Sequence, residues 1–253
     1  MSLAYIWINP VTESMYEETV LERFLERRGL VRVRCATDWG SIVREKYKRL
    51  VEVSEVTIAD ARCPMACGLV REAQSKRRQG EKMGGETGVK VADIEPILIH
   101  CAREISGREE FGDGEKIITT PCRSLADMGN FLGLKHTRFV TWNEFLEEMG
   151  ERPEGRLPEA SPIPLGFFSG LEGNVESLTG KEIIENYMER PGGGETALVE
   201  MLYCDRGCHN GDGVVRKVRE KEDMREDVED IKKDVKEDVK EHIKEDTEIS
   251  RGE

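Results

Sequence analysis

The chain has no apolar run approaching the roughly 20 residues that a membrane span needs, which argues against a membrane partner or anchor. Its start, MSLAYIWINPVTES, has neither the basic segment nor the apolar stretch of a secretory signal, so the expected location is cytoplasmic. An excess of basic charge is missing too. Over 253 residues, 38 Lys and Arg stand against 51 Asp and Glu, a net charge of −13. Nucleic acids and anionic lipid surfaces both select a basic face, so neither is an expected partner. Histidine is scarce, four residues in all, and too scattered for a Ser-His-Asp arrangement to be assembled. The stretches MGGETG and PGGGET lack the Gly-Lys-Ser/Thr ending of a phosphate-binding loop, which argues against nucleotide binding.

What is present is a chain long enough to bury a substantial core. Its first 215 or so residues alternate short apolar runs with helical patterns. Strands are expected at Tyr5–Asn9, Leu30–Ala36, Val56–Ala61, Lys116–Thr120, Thr137–Trp142, Ile163–Phe168 and Ala197–Tyr203. Amphipathic helices are expected at Glu17–Arg28, Ser41–Val51, Asn143–Met149 and Gly180–Met188; the first carries Val20, Leu21, Phe24 and Leu25 at helical spacing. Strands separated by helices predict an α/β fold with mainly parallel sheets. In such sheets ligands gather at the loops that leave the carboxyl ends of strands. Three segments read as irregular: the Gly-rich Gln79–Gly88, the stretch Glu151–Pro164 with its four prolines, and the turn Pro191–Gly194.

After Gly213 the composition changes, and two units are expected, 1–213 and 214–253. The tail repeats KKDV, KEDV, KEHI and KEDT from Lys232 to Thr247. Met224, Val228, Ile231, Val235, Val239 and Ile243 make one narrow stripe at spacings of three and four, so the tail is expected as a charged, solvated C-terminal helix or as a disordered segment, and as a surface for a protein partner. Like charges four residues apart, as along Lys232, Lys236, Lys240 and Lys244, oppose that helix by a few tenths of a kcal/mol per pair.

Seven cysteines carry the chemistry. The number is odd and no export signal precedes them, so a disulfide framework is not expected. Cys63 follows the run VTIADA and precedes Pro64. Cys122 follows KIITT and Pro121. Cys204 ends ALVEMLY, and Cys208 lies four residues on in the turn DRGCHNGDG. All four therefore fall on loops at the carboxyl ends of expected strands. Thiolates converging at one dry edge repel each other unless a cation neutralises them, so metal is the physical expectation. Zinc held by four thiolates and an iron–sulfur cluster both stay open on these residues alone. Cys35 and Cys101 read as small core residues, and so does Cys67, although Cys63 and Cys67 could share one helix face. His209 reads as a turn residue beside Cys208.

The ordered set of strand–Cys-Pro, strand–Pro-Cys and strand–Cys-x-x-x-Cys-x-Asn-Gly-x-Gly resembles the catalytic domain of the iron-only (FeFe) hydrogenases. The matching text is ERFLERRGLVRV, ARCPMACGLVREA, IITTPCRS, TRFVTWNEFLEEMG and VEMLYCDRGCHNGDG, from about Glu17 to Gly213, with the region between Glu151 and Pro162 shortened. The resemblance implies two halves around a buried iron–sulfur site. It further implies that Cys63, Cys122, Cys204 and Cys208 ligate a 4Fe-4S cubane, with Cys208 at the position that bridges to a two-iron subcluster.

The departures fall on the two-iron side. Where active members of the family have a proton-relay cysteine, this chain has Arg62; where they have a lysine that bonds a cyanide, it has Leu125. Two family methionines are replaced by Thr120 and Leu202. A thiol near neutral pKa passes protons, whereas arginine stays charged to above about pH 12 and does not. Losing the lysine removes a charge-assisted bond worth roughly 1.5–3 kcal/mol. The expectation is a hydrogenase-like iron–sulfur protein that lacks a normal two-iron site. It would act in redox sensing, electron transfer or cluster assembly, with a redox protein or ferredoxin-type partner. The alternatives are a divergent iron-only hydrogenase reducing protons to hydrogen, and a four-cysteine zinc interaction module.

Overall fold

The computed structural model describes residues 3–78, 88–163, 165–189 and 196–215. The stretches 79–87 and 191–194, and all of the tail beyond residue 215, lie outside these residues. So does the tail's expected helix.

Among the described residues, eight short strands form two four-stranded sheets in which every pairing is parallel. The first sheet has the order β2-β1-β5-β6, from β1 (Ala4–Trp7), β2 (Leu30–Arg32), β5 (Glu115–Thr120) and β6 (Thr137–Thr141). The second has the order β4-β3-β8-β7, from β3 (Thr57–Ala59), β4 (Val89–Val91), β7 (Asn174–Thr179) and β8 (Thr196–Leu202). The chain alternates between them, laying down two strands in one sheet and then two in the other. The helices are α1 (Pro10–Glu13), α2 (Glu18–Arg27), α3 (Trp39–Val53), α4 (Pro64–Arg78), α5 (Ile97–Gly107), α6 (Arg123–Phe131), α7 (Trp142–Met149) and α8 (Lys181–Glu189).

Period-two alternation in the buried strands sends neighbouring residues into opposite layers. In the first sheet Ile6, Ile117 and Val140 pack with α2 and α7, around Phe24, Trp142 and Phe145. Trp7, Ile118 and Phe139 face the other way, onto α5 and α6, around Ile99, Ile105 and Ala126. In the second sheet Ala59, Val199 and Met201 face α4 and α8, while Ile58 and Leu198 meet Val43 and Tyr47 of α3 and Phe168. Both sheets are covered on both faces, as all-parallel sheets require.

The expected α/β class with mainly parallel sheets and flanking helices is what the structure has. One expected strand is not found among the described residues: those of Ile163–Phe168 run through a bend and turns, with Gly166 at φ 82°. Its apolar content goes elsewhere. Phe168 is buried against Tyr47, and the Gly166 and Phe167 amides donate to the Glu200 carboxylate at 2.6 and 3.2 Å. The strands β4 and β7 and the helices α4, α5 and α6 are additions to the sequence reading.

Candidate metal centre

The four strand-end cysteines come from both sheets. Cys63 stands four residues past the end of β3 and directly before α4, whose first residue is Pro64, and its carbonyl accepts the Cys67 amide at 3.0 Å. Proline suits that first helical position, where an amide would have no partner. The Cys63 sulfur accepts from the Tyr203 amide at 3.5 Å, which ties the end of β3 to the end of β8. Cys122 follows β5 and Pro121 and caps α6 in extended conformation. Cys204 and Cys208 lie on the loop that leaves β8.

That loop crosses from the second sheet to the first. The Gly213 amide donates to Pro121 O at 3.0 Å, the Asn143 amide to Gly213 O at 2.9 Å, and the Arg123 amide to Asp212 Oδ1 at 3.0 Å. Val214 is buried in the core layer of α2 and α7, and Cys208 packs against that layer. Two glycines permit the crossing. A Cβ on Gly211 would lie 2.4 Å from Pro121 O, and one on Gly213 would lie 2.8 Å from the Cys122 amide nitrogen. Backbone presses on backbone here, so no side chain fits.

Each of the four thiols is half-buried, and every pair among them is within electrostatic reach. Burial is the main cause that raises their pKa values, and the neighbouring sulfurs raise Cys122, Cys204 and Cys208 further. Cys204 is pushed up to about 11 and Cys122 to about 12. Cys63 and Cys208 also lie above the ordinary thiol value. Four thiols held neutral this way ionise together only with a compensating cation, which lends the donor set to a cationic metal group.

Among the described residues, no three His, Cys, Asp or Glu side chains stand close enough to hold a single metal ion. A mononuclear zinc site draws its sulfurs to about 2.3 Å from one centre. A cluster whose own atoms separate its ligands does not impose that spacing. Two buried nitrogens beside the cysteines also lack hydrogen-bond partners, Arg62 Nη1 and His209 Nδ1. An acceptor such as the sulfide of a cluster suits both.

Arg62 fills the position where the resemblance would expect a relay thiol. Arg62 is 8% exposed, and its guanidinium lies over the rings of Phe167 and Phe168 at 4.6 and 4.8 Å. Its Nε donates to Asp60 Oδ2 at 2.7 Å, and its Nη2 bonds Glu200 Oε1. Burial pulls the Arg62 pKa down, but the two carboxylates outweigh it and hold the group charged. Burial pushes the Asp60 carboxyl up against the opposing pull of Arg62. The other replacements are inert. Leu125 and Leu202 are buried apolar side chains, and the Thr120 hydroxyl donates to Cys122 O at 2.9 Å.

The remaining sequence candidates divide. Cys67 is buried, with its sulfur 3.6 Å from Asp60 O, and burial lifts its pKa to about 12. Among the cysteines its field reaches Cys63. His209 lies in the short 3-10 turn Cys208–Asn210 and is buried, with its pKa lowered by burial. Cys101 is buried in the layer of α5 and α6, and Cys35 packs at its edge. Sequence reasoning did not single out Asp60 and Glu200, the carboxylates that fix Arg62.

The two interleaved parallel sheets define a distant hydrogenase-like fold. Two solved structures share it. One is the apo FeFe-hydrogenase of Chlamydomonas reinhardtii in a cysteine-to-histidine variant, at TM-score 0.52 and 13% identity, covering 87% of this chain and 81% of that one. The other, from work on how oxygen inactivates an FeFe-hydrogenase through its H-cluster 2Fe subcluster, has TM-score 0.50 and 14% identity with the same coverage. No family model and no curated protein matches the sequence. At this identity the likeness establishes the fold.

Proposed function

We propose that the chain is a hydrogenase-like iron–sulfur protein that holds one 4Fe-4S cluster through Cys63, Cys122, Cys204 and Cys208, without a normal two-iron site. Its work is redox sensing, electron transfer or cluster assembly, with a redox protein or ferredoxin-type partner. The observation that carries this reading is the meeting of four cysteines, whose thiolates would repel one another, at the carboxyl ends of β3, β5 and β8 on a hydrogenase-like fold. A 4Fe-4S cluster supplies one-electron transfer when bound. The chain's own residues provide the cage. Cys63 and Cys204 come from adjacent strands of one sheet, Cys122 from the other, and the Gly211–Gly213 crossing brings Cys208 to Cys122. The Asp60–Arg62–Glu200 set speaks against hydrogen chemistry, because it puts a locked guanidinium where a proton relay is needed.

Anaerobic reconstitution with iron and sulfide tests the proposal. The expected product is brown, with about four irons and four sulfides per chain, an electron paramagnetic resonance signal on reduction, and no hydrogen evolution. Carbonyl and cyanide infrared bands in matured protein, together with hydrogen evolution, would instead establish the divergent hydrogenase. Stoichiometric zinc and a colourless product would establish the zinc module.

A further inference from the structure

Away from the strand ends, a second pair of cysteines meets. Cys35 lies in the segment that carries the chain from β2 in the first sheet to α3, and Cys101 lies in α5, which returns it from the second sheet. Both cysteines belong to one apolar layer around Ile99 and Ile105. They line a surface cleft of about 310 Å³ together with Trp7, Thr37, Trp39 and Ile97.

The contact is built by the helix on which Cys101 sits. Residues three and four apart share one helix face, so His100, Cys101, Glu104 and Arg108 form a track along α5 and its end. The Glu104 carboxylate accepts the Ala36 amide at 2.6 Å, the Thr37 amide at 3.3 Å and the Trp39 indole Nε1 at 2.8 Å. Arg108 Nη1 donates to Arg34 O at 2.8 Å. The Trp39 ring stacks on His100 at 4.9 Å, with the planes 11° apart. Residues 34–39 are thus held on both sides of Cys35, and the Cys35 thiol is set against Cys101. A thiol merely filling core space needs no such clamp.

We propose that Cys35 and Cys101 form a redox-active dithiol, oxidised to a disulfide by low-molecular-weight or protein disulfides, separate from the strand-end cysteines. Cys35 is the attacking thiol: it is the more exposed of the two, and the Cys101 thiol beside it lowers its pKa. The Cys35 thiolate attacks one sulfur of the external disulfide, forming a mixed disulfide and releasing the first thiolate. Cys101 then loses its proton, and its sulfur attacks Cys35 Sγ and expels the second. The two protein thiols give up two electrons and two protons, and the external disulfide leaves as two thiols. The product joins the outward and the return crossovers between the two sheets.

The full-length chain, incubated anaerobically with oxidised glutathione or with dithiothreitol, acid-quenched, alkylated and digested, tests this by mass spectrometry. The expected result in the oxidised sample is a linked Cys35–Cys101 peptide pair, lighter by two hydrogens than its reduced parts, which dithiothreitol returns to two alkylated peptides. In Cys101→Ala the reaction stops halfway, and Cys35 carries one glutathione. Separately alkylated Cys35 and Cys101 in the oxidised wild type would overturn the proposal. So would Cys35 linked to any other cysteine. Because the wild type itself gives the reading, the proposal stands or falls without a variant having to fold, and it does not depend on iron.

Discussion

Arg62 shows what one buried charge demands of its surroundings. Two carboxylates, two aromatic faces and the amides of Gly166 and Phe167 are organised around it, and Ser177 Oγ adds a bond to Glu200 Oε2 at 2.8 Å. Removing one partner of a buried ion pair leaves the other charge uncompensated, which costs roughly 3–5 kcal/mol. Glu200→Ala should lose stability in that range, read from the denaturant midpoint. Glu200→Gln, which keeps an acceptor, should lose less. In the sequence Arg62 is legible as a departure at the place of a relay thiol. The partner that holds it is not, because Glu200 stands 138 residues away inside the apolar run ALVEMLY, where a strand reading assigns it no role.

At the scale of elements, the central strands β1, β3, β5 and β8 all announce themselves as apolar runs because both their faces are covered. β4 and β7, at the edges of the second sheet, carry no comparable apolar run. VKV is too short, and NVESLT too polar, for the periodic signal. Helices α4, α5 and α6 follow Cys63, Pro96 and Cys122, so no Ser, Thr, Asp or Asn cap marks their starts. Helix α7, which was expected, has a full capping box. Glu144 N donates to Thr141 Oγ1 at 3.3 Å, and Glu144 Oε2 accepts from the Thr141 amide at 3.2 Å. Thr141→Ala should therefore cost about 1 kcal/mol in thermal or chemical unfolding.

For the whole molecule, the crossing loop 204–215 makes the proposed centre a tie between the sheets. A ligand that binds the folded chain alone stabilises it by mass action. The reconstituted protein should melt at a higher temperature than the iron-free protein. Chelation under reducing conditions should abolish the difference, and Cys208→Ser should never show it. The placement of all four cysteines at strand ends was legible from the sequence, since an apolar run leads to each site. How the two sheets come together at that edge was not, because parallel pairing is decided by partners far apart in the chain: Asn9 meets Thr119, 110 residues on.

The alternation of the chain between its sheets also sets an order in time. Cys63 emerges from the ribosome 140 residues before Tyr203, the residue whose amide meets its sulfur. At 5–20 residues per second, that is roughly 7 to 28 seconds of synthesis. Neither sheet is complete when Cys63 or Cys122 appears, and β3 has no β8 to pair with. The nascent chain therefore carries those thiols before the remaining two strand-end cysteines are present. A cluster held by all four cysteines, as proposed, would be completed only after Cys204 and Cys208 have been made.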